Sequence, residues 1–314
     1  MEFVCSNIDR LITVGIRAMG VPRKNMAKIY EAGAFAGPIS LQIVQALAER
    51  PGAHVGIFTG AADPVKFPQG ENDGPLGSAA LARCLDTLGY HVTLYTEPEC
   101  IGGIQMALEV LKSDVPVVEL EKAPGAQYDA IAQELDVAFT IEKLGSNSKG
   151  VLHNLSGNKR NDIRAVMDDI IIQMNEMGKL TIGIGDGGNE IGFGNLYEQA
   201  RYYVPSATVC KCGCGGGIVT TTRVGICYPV AISNWGAYAI MAALASWHKR
   251  PELALTPEEE HEMLTRGVEF GLVDGGTGEH RYGLDGIDGD ASVACVRLLR
   301  EIVLVSLKTI HRDF

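Results

Sequence analysis

Lys179-Leu-Thr-Ile-Gly-Ile-Gly-Asp-Gly-Gly-Asn-Glu-Ile-Gly-Phe-Gly194 is an apolar strand that runs straight into glycines holding Asp186, Asn189 and Glu190. The C-terminal end of a parallel strand is where open α/β sheets bind ligands. Glycine there permits tight turns and close approach of the backbone to a ligand. Two carboxylates and an amide therefore converge where chemistry is expected, and a plain polar turn is the weaker alternative.

Similar apolar runs lie on either side. His54 to Thr59, His91 to Thr96, Val115 to Leu120, Val137 to Ile141 and Ile226 to Ile232 read as strands beside Leu180 to Ile184. Between them Leu76 to Leu88, Gly103 to Leu111, Tyr128 to Leu135, Ile163 to Met177 and Ala237 to Trp247 carry apolar residues at three- and four-residue spacing and read as helices. Further helices are expected at Ile8 to Met19, Leu41 to Ala48, Pro257 to Phe270 and Ala291 to Ile310. Strands alternating with helices imply an α/β fold, doubly wound, with a mostly parallel sheet, helices on both faces and additional terminal helices. Residues 1–314 are expected to form a single unit, with Asn147 to Asn161 a functional loop more than a boundary. The terminal helices wrap the sheet edges or make contacts in a homo-oligomer.

The composition bounds the function. Of 314 residues, 46% are hydrophobic and 21% charged, with mean hydropathy +0.09, as in compact globular chains. A net charge of −11 and a pI near 5.1 argue against nucleic acid, whose phosphates need clustered Lys and Arg. Lys159-Arg160 and His248-Lys249-Arg250 read as solvated faces. No apolar run approaches the roughly 18 residues of a membrane span. Met1 to Cys5 lacks the pattern of a signal peptide, so a cytoplasmic location is expected. Eight cysteines are too sparse for a disulfide scaffold.

Gly183, Gly185 and Gly188 also fit the G-x-G-x-x-G pattern of a dinucleotide site. Asp186 and Glu190 would repel a pyrophosphate, however, and these hard oxygen ligands suit Mg²⁺, Mn²⁺ or Ca²⁺. The stretch is similar to the G-D-G-x-N-D loop of haloacid-dehalogenase-type phosphatases. That family needs an earlier D-x-D nucleophile, and the D-x-D here, Asp288-Gly-Asp290, comes later. Metal-dependent phosphatase chemistry is kept as a rival without that family.

Phe67-Pro-Gln-Gly-Glu-Asn-Asp-Gly-Pro-Leu-Gly77 is a second candidate loop. Glu71, Asn72 and Asp73 stand just before a helix N-terminus, which favours anions. Capping explains Asp73 but neither Glu71 nor the length of the loop. Three segments are expected to border the pocket: Glu142 to Gly150, with Glu142 and Lys149, followed by His153 and Asn154; Ser233-Asn234-Trp235-Gly236; and Asp274 to Gly278. For each, a structural turn is as good a reading as a functional one. Cys210-Lys-Cys-Gly-Cys-Gly-Gly-Gly217 lacks a second Cys/His pair at zinc-finger distance, so Cys210, Cys212 and Cys214 are expected to bind no zinc.

Gly70-Glu-Asn-Asp-Gly-Pro-Leu-Gly77, Gly183-Ile-Gly-Asp-Gly-Gly-Asn-Glu-Ile-Gly192 and Ser233-Asn-Trp-Gly-Ala237, in that order and spacing, make the chain resemble the D-glutamate cyclase C-terminal-like domain family. The resemblance covers nearly all of the chain. It implies a hydro-lyase that closes D-glutamate to 5-oxo-D-proline with loss of water, in a family also associated with divalent metals and phosphatase-like activity. On that reading Glu71, Asp73, Asp186, Asn189 and Glu190 hold a divalent cation. The cation polarises the side-chain carboxylate, Glu71 or Asp73 takes a proton from the amine, and Lys149 steadies the anion. Asn72, Asn154, Gly187, Gly188 and Asn234 contact a small anionic metabolite, and no organic cofactor is needed. A non-catalytic metal- or metabolite-binding module is the remaining alternative.

Overall fold

The computed structural model describes residues 1–17, 25–309 and 311. Three helices, α1 (Glu2–Ile12), α2 (Met26–Gly33) and α3 (Ile39–Ala48), precede β1 (His54–Phe58). Then follow α4 (Pro75–Thr87), β2 (His91–Thr96), α5 (Pro98–Leu111), β3 (Val117–Glu119), α6 (Ala126–Glu134) and β4 (Val137–Ile141). The chain continues through α7 (Asp168–Glu176), β5 (Leu180–Gly185), α8 (Tyr197–Tyr203), β6 (Ile226–Pro229) and α9 (Ser233–His248). It finishes with α10 (Pro257–Phe270), a short hairpin of β7 (Gly283–Leu284) and β8 (Ile287–Asp288), and α11 (Gly289–Ser306).

The six main strands form one sheet in the order β3-β2-β1-β4-β5-β6, parallel at every pairing. This is the expected doubly wound α/β architecture. Alternation along the strands sorts side chains to two faces. Val55, Ile57, Val137, Phe139, Ile141, Ile182 and Ile184 join the core that contains α1, α3, α4, α5, α9 and α11. Phe58, Ala138 and Cys227 face a smaller core built with α2, α6, α7 and α8. Helix α9 is buried along almost its whole length, as a helix apolar on every side must be. The N-terminal helices are fastened through buried Asp9, which accepts hydrogen bonds from the hydroxyls of Tyr30 at 2.6 Å and Tyr228 at 2.5 Å. Among the described residues no helix is long and apolar enough to cross a membrane.

Several helices differ from their expected spans; α5 and α9 begin earlier than expected, at Pro98 and Ser233. Helix α1 ends at Ile12, whose carbonyl accepts the N–H of Ala231 at 2.8 Å in place of a further helical turn. The predicted end at Met19 lies outside the described residues, as does Ile310 beyond α11. Helix α7 begins at Asp168, five residues after the predicted start at Ile163. Ile163 and Arg164 donate in a local turn to the Arg160 carbonyl, and the next two N–H groups go to tertiary acceptors: Ala165 donates to the Glu97 carboxylate at 2.8 Å and Val166 to the Lys122 carbonyl at 3.1 Å. That diversion leaves Arg160 to Met167 as a loop across the C-terminal edge of the sheet. Helix α2, absent from the expected elements, has its N-cap at Asn25, which accepts from the N–H of Lys28.

Candidate active site

Strands β1 and β4 are neighbours in the sheet but lead in opposite directions, β1 into α4 on one face and β4 toward α7 on the other. Their diverging loops open a crevice at the switch point, the position at which doubly wound sheets take ligands. A cavity of about 350 Å³ lies there, walled by Glu71, Glu142, Asp186, Asn189, Arg17 and Arg164.

Two helix N-termini are tied together beneath it. The Asn234 side-chain oxygen accepts the N–H groups of Gly74 and Gly77, each at 2.8 Å, and so caps α4. Asp73 returns the favour to α9, accepting from Asn234 N–H at 2.8 Å and Ser233 N–H at 3.2 Å. Asp73 thus caps α9 and not the helix that follows it in sequence. Asn234, expected at the substrate, is fully buried in this exchange and also donates to the Asn72 carbonyl at 3.0 Å. Asn72 is likewise buried and donates to the Gly283 carbonyl at 2.5 Å.

The glycine-rich turn after β5 is folded by Glu190. One of its carboxylate oxygens accepts the N–H groups of Gly187 at 2.6 Å and Asp186 at 3.1 Å. Asn189 donates to the His153 carbonyl at 2.8 Å, and its side-chain oxygen is buried without a hydrogen-bond partner among the described residues. Gly187 is required by crowding, because a Cβ there would stand 2.2 Å from that oxygen. Gly188 has φ +86°, a left-handed conformation that glycine adopts without strain. Asp186 is brought to the cavity and forms an ion pair with Arg17, which also pairs with Asp285.

Glu142 follows β4 with φ +53°, a left-handed conformation that costs a non-glycine residue roughly 1–3 kcal/mol. Such an outlier at a strand end points to function, and here it sets the carboxylate in the cavity wall beside the Ser233 hydroxyl, which donates to it. One carboxylate oxygen from each of Asp73, Glu142 and Asp186 lies within 4.8 Å of the others. These are hard oxygen donors of the kind that bind Mg²⁺, Mn²⁺ and Ca²⁺. Glu142, a bordering residue in the sequence pattern, stands in the cluster, whereas Glu190 is occupied in shaping the turn.

Crowded carboxylates resist ionisation. Burial pushes Glu71 up to about 8, with the charges of Asp73, Asp186 and Asp274 adding to it and Arg164 opposing it. Burial, then the charge of Asp186, pushes Asp73 up to about 7 against its backbone hydrogen bonds. Glu142 is raised well above its ordinary range by burial and by Asp186, Glu190, Asp73 and Glu71. Each would ionise more readily beside a cation.

The cavity lining also carries cations. Arg160, read from sequence as part of a solvated face, pairs with Asp63 at 2.9 Å and lines the cavity. Arg164 is buried, its guanidinium lies 5.8 Å from the Phe67 ring centre, and its Nε and Nη1 have no hydrogen-bond partner among the described residues. Unsatisfied buried donors of this kind are an anion receptor in waiting. Asn154 also lines the cavity. Lys149 does not: it is exposed and lies beside Gly216. Lys66 lines it instead, and Lys143 is buried in an ion pair with Glu97 that ties the ends of β4 and β2 together. Arg17 and Arg164 had no distinguishing sequence signal, since one sits in a predicted helix remote from the strands and the other in a predicted helix start.

A family model described as D-glutamate cyclase-like, C-terminal, matches residues 24–300. The human protein named D-glutamate cyclase, mitochondrial, is 27% identical over 192 residues, 56% of this chain and 30% of the human protein. The matched region thus spans about a third of that relative's length. With the three resemblance motifs gathered around one crevice and the family match running across nearly the whole sheet, the chain belongs to the D-glutamate cyclase-like, C-terminal family.

Proposed function

We propose that the chain is a hydro-lyase that closes an acidic amino acid, D-glutamate by kinship, to its five-membered lactam with the aid of a divalent cation. The observation that carries this reading is the polarity of the crevice. Carboxylates of Asp73, Glu142 and Asp186 converge, with Glu142 and Asp186 lining the cavity, and the buried Arg164 guanidinium in the same lining offers open N–H donors. A dicarboxylic amino acid presents the matching groups, an ammonium and two carboxylates. The family and the name of the human relative support the choice of glutamate.

Ring closure forms a C–N bond between the amine and the side-chain carboxyl carbon and breaks one C–O bond of that carboxyl. Two protons leave nitrogen, and the departing oxygen takes two protons to become water. Proton carriers work best with a pKa near the ambient pH. Glu71, raised to about 8 and outside the three carboxylates that would hold the cation, meets that condition. Among the described residues no backbone donor holds the Glu71 carboxylate as Asn234 and Ser233 hold that of Asp73, so Glu71 is the better placed to accept a proton from the amine. Arg164 would hold a carboxylate of the substrate and fix which end faces the acidic wall. Asp73, Glu142 and Asp186 would hold the cation, with Asn189 adjoining through its buried oxygen. When bound, such an ion acts as a Lewis acid on a carboxyl oxygen.

The test is incubation of the protein with D-glutamate, L-glutamate and a generic phosphate ester in Mg²⁺, Mn²⁺ or Ca²⁺, with all products assayed. Formation of 5-oxo-D-proline that is lost in Asp186→Asn and Glu142→Gln is the expected result. Phosphate release alone would select a phosphatase, and turnover of none of the three would select a binding module.

A further inference from the structure

We propose that His153, Cys210, Cys212 and Cys214 form a closed zinc site that clamps the loop over the crevice to the cysteine loop. It is separate from the carboxylate cluster and reverses the expectation drawn from cysteine spacing alone. The missing ligand comes from 57 residues upstream of Cys210, where the spacing rules of zinc fingers do not look.

One donor atom from each of the four side chains lies within 4.8 Å of the others. Cys210 and Cys214 sulfurs are 3.5 Å apart, Cys212 and Cys210 sulfurs 3.7 Å, and the His153 Nε2 is 3.1 Å from the Cys212 sulfur. A tetrahedral ion with Zn–S near 2.3 Å sets sulfurs about 3.8 Å apart and sulfur to nitrogen about 3.5 Å. The four atoms are therefore already at ligand-to-ligand spacing. None of the three thiols is in a disulfide.

The backbone is shaped for this. An extended C-x-C-x-C would spread its alternate side chains roughly 7 Å apart. Gly213 and Gly215, with φ +77° and +74°, coil the segment so that every second side chain turns to a common centre. The Asn147 amide and the Gly216 N–H each donate to the Cys214 sulfur at 3.4 Å. Donors of that kind stabilise a metal-bound thiolate from outside the ligand set. Three thiolates and an imidazole are soft and borderline donors, which select zinc over the hard cations suited to the crevice.

The clamp has a mechanical consequence. His153 is buried and its carbonyl holds Asn189 of the glycine-rich turn at 2.8 Å. Asn154, Leu155 and Ser156, the next three residues, line the crevice. Lys211 N–H donates to the Gly157 carbonyl at 2.8 Å and Thr220 N–H to the Gly188 carbonyl at 3.2 Å. Four protein ligands leave no open position on the ion, so its role is to fix these loops and not to bind substrate.

Zinc in the purified, untagged protein should be about one equivalent by mass spectrometry of the metal. Replacement by Co²⁺ should give intense thiolate-to-cobalt charge transfer and tetrahedral d–d bands. Cys212 is exposed, so Cys212→Ser should leave the fold intact while zinc passes to a colorimetric chelator at least tenfold faster. Asp186→Asn should keep both the zinc and the cobalt spectrum. Reduced wild-type protein that takes up neither ion, or a Cys212→Ser variant with an unchanged cobalt spectrum, would overturn the assignment.

Discussion

Replacing Asn234 by alanine separates a residue that builds the site from one that touches the substrate. The side chain makes three buried hydrogen bonds, accepting from Gly74 and Gly77 at 2.8 Å and donating to the Asn72 carbonyl at 3.0 Å. Truncation leaves the Gly77 N–H at the first turn of α4 and the Asn72 carbonyl without these partners, in a place closed to water, and leaves the Gly74 N–H with only the Asp73 carboxylate at 3.1 Å. A buried polar group stranded in this way costs about 1–3 kcal/mol, and loss of a helix cap about 1 kcal/mol. Allowing for partial relaxation, Asn234→Ala should destabilise the fold by roughly 3–4 kcal/mol, a large share of the 5–15 kcal/mol usual for a domain. At a urea dependence of roughly 3 kcal/mol per M, the unfolding midpoint should fall by about 1 M. Equilibrium unfolding in urea, followed by circular dichroism at fixed pH, measures this. A loss below about 1 kcal/mol, with a raised KM as the main effect, would refute the capping role and return Asn234 to the substrate.

Two further outcomes follow from the charges of the crevice. Arg164→Met removes a buried guanidinium whose Nε and Nη1 lack hydrogen-bond partners among the described residues. It should leave thermal stability unchanged or higher while weakening binding of the dicarboxylate by about 10- to 100-fold, the equivalent of one charge-assisted hydrogen bond; isothermal titration and KM test it, and unaltered binding would remove Arg164 from the ligand. The acidic wall should also make the metal-free protein less stable as pH rises. Glu71 and Asp73 stand above their ordinary values of 4.5 and 3.8, at about 8 and about 7. The folded state therefore holds these protons more tightly than the unfolded chain, and the resulting stability is full below about pH 4 and is lost as pH climbs through 7 to 8. In chelator, the melting temperature should fall from pH 5 to pH 8, with Mn²⁺ restoring it at pH 8 and doing little at pH 5; a melting temperature that rises over that interval would contradict the assignment.

Much of this was written locally in the chain. Alternating or continuous apolar runs such as Val137 to Ile141 and Leu180 to Ile184 can be buried only as inner strands, and amphipathic stretches between them only as crossover helices. The polar residues that interrupt those runs at the strand ends, Asp186 and Asn189 above all, were legible for the same reason. Glycine beside a carboxylate at the end of a buried strand has few structural uses.

What the sequence could not determine is which loops meet. The strand order β3-β2-β1-β4-β5-β6 sets the crevice between β1 and β4, and nothing within either strand records its neighbour. Asn234 and Asp73, 161 positions apart, cap each other's helices only because α4 and α9 start side by side at that crevice. Glu142 enters the cluster through a left-handed backbone that local preference disfavours and tertiary packing imposes. Arg164 reads as one more charge at a helix start until Glu97 and Lys122 draw the neighbouring N–H groups out of helical register and leave it in the cavity wall. His153 meets the cysteines by the same route, through loops joined in space. Periodicity reports how a segment divides its surface between core and water, a property of a dozen residues. A binding site depends on distances between segments, and those exist only once the sheet has closed its register.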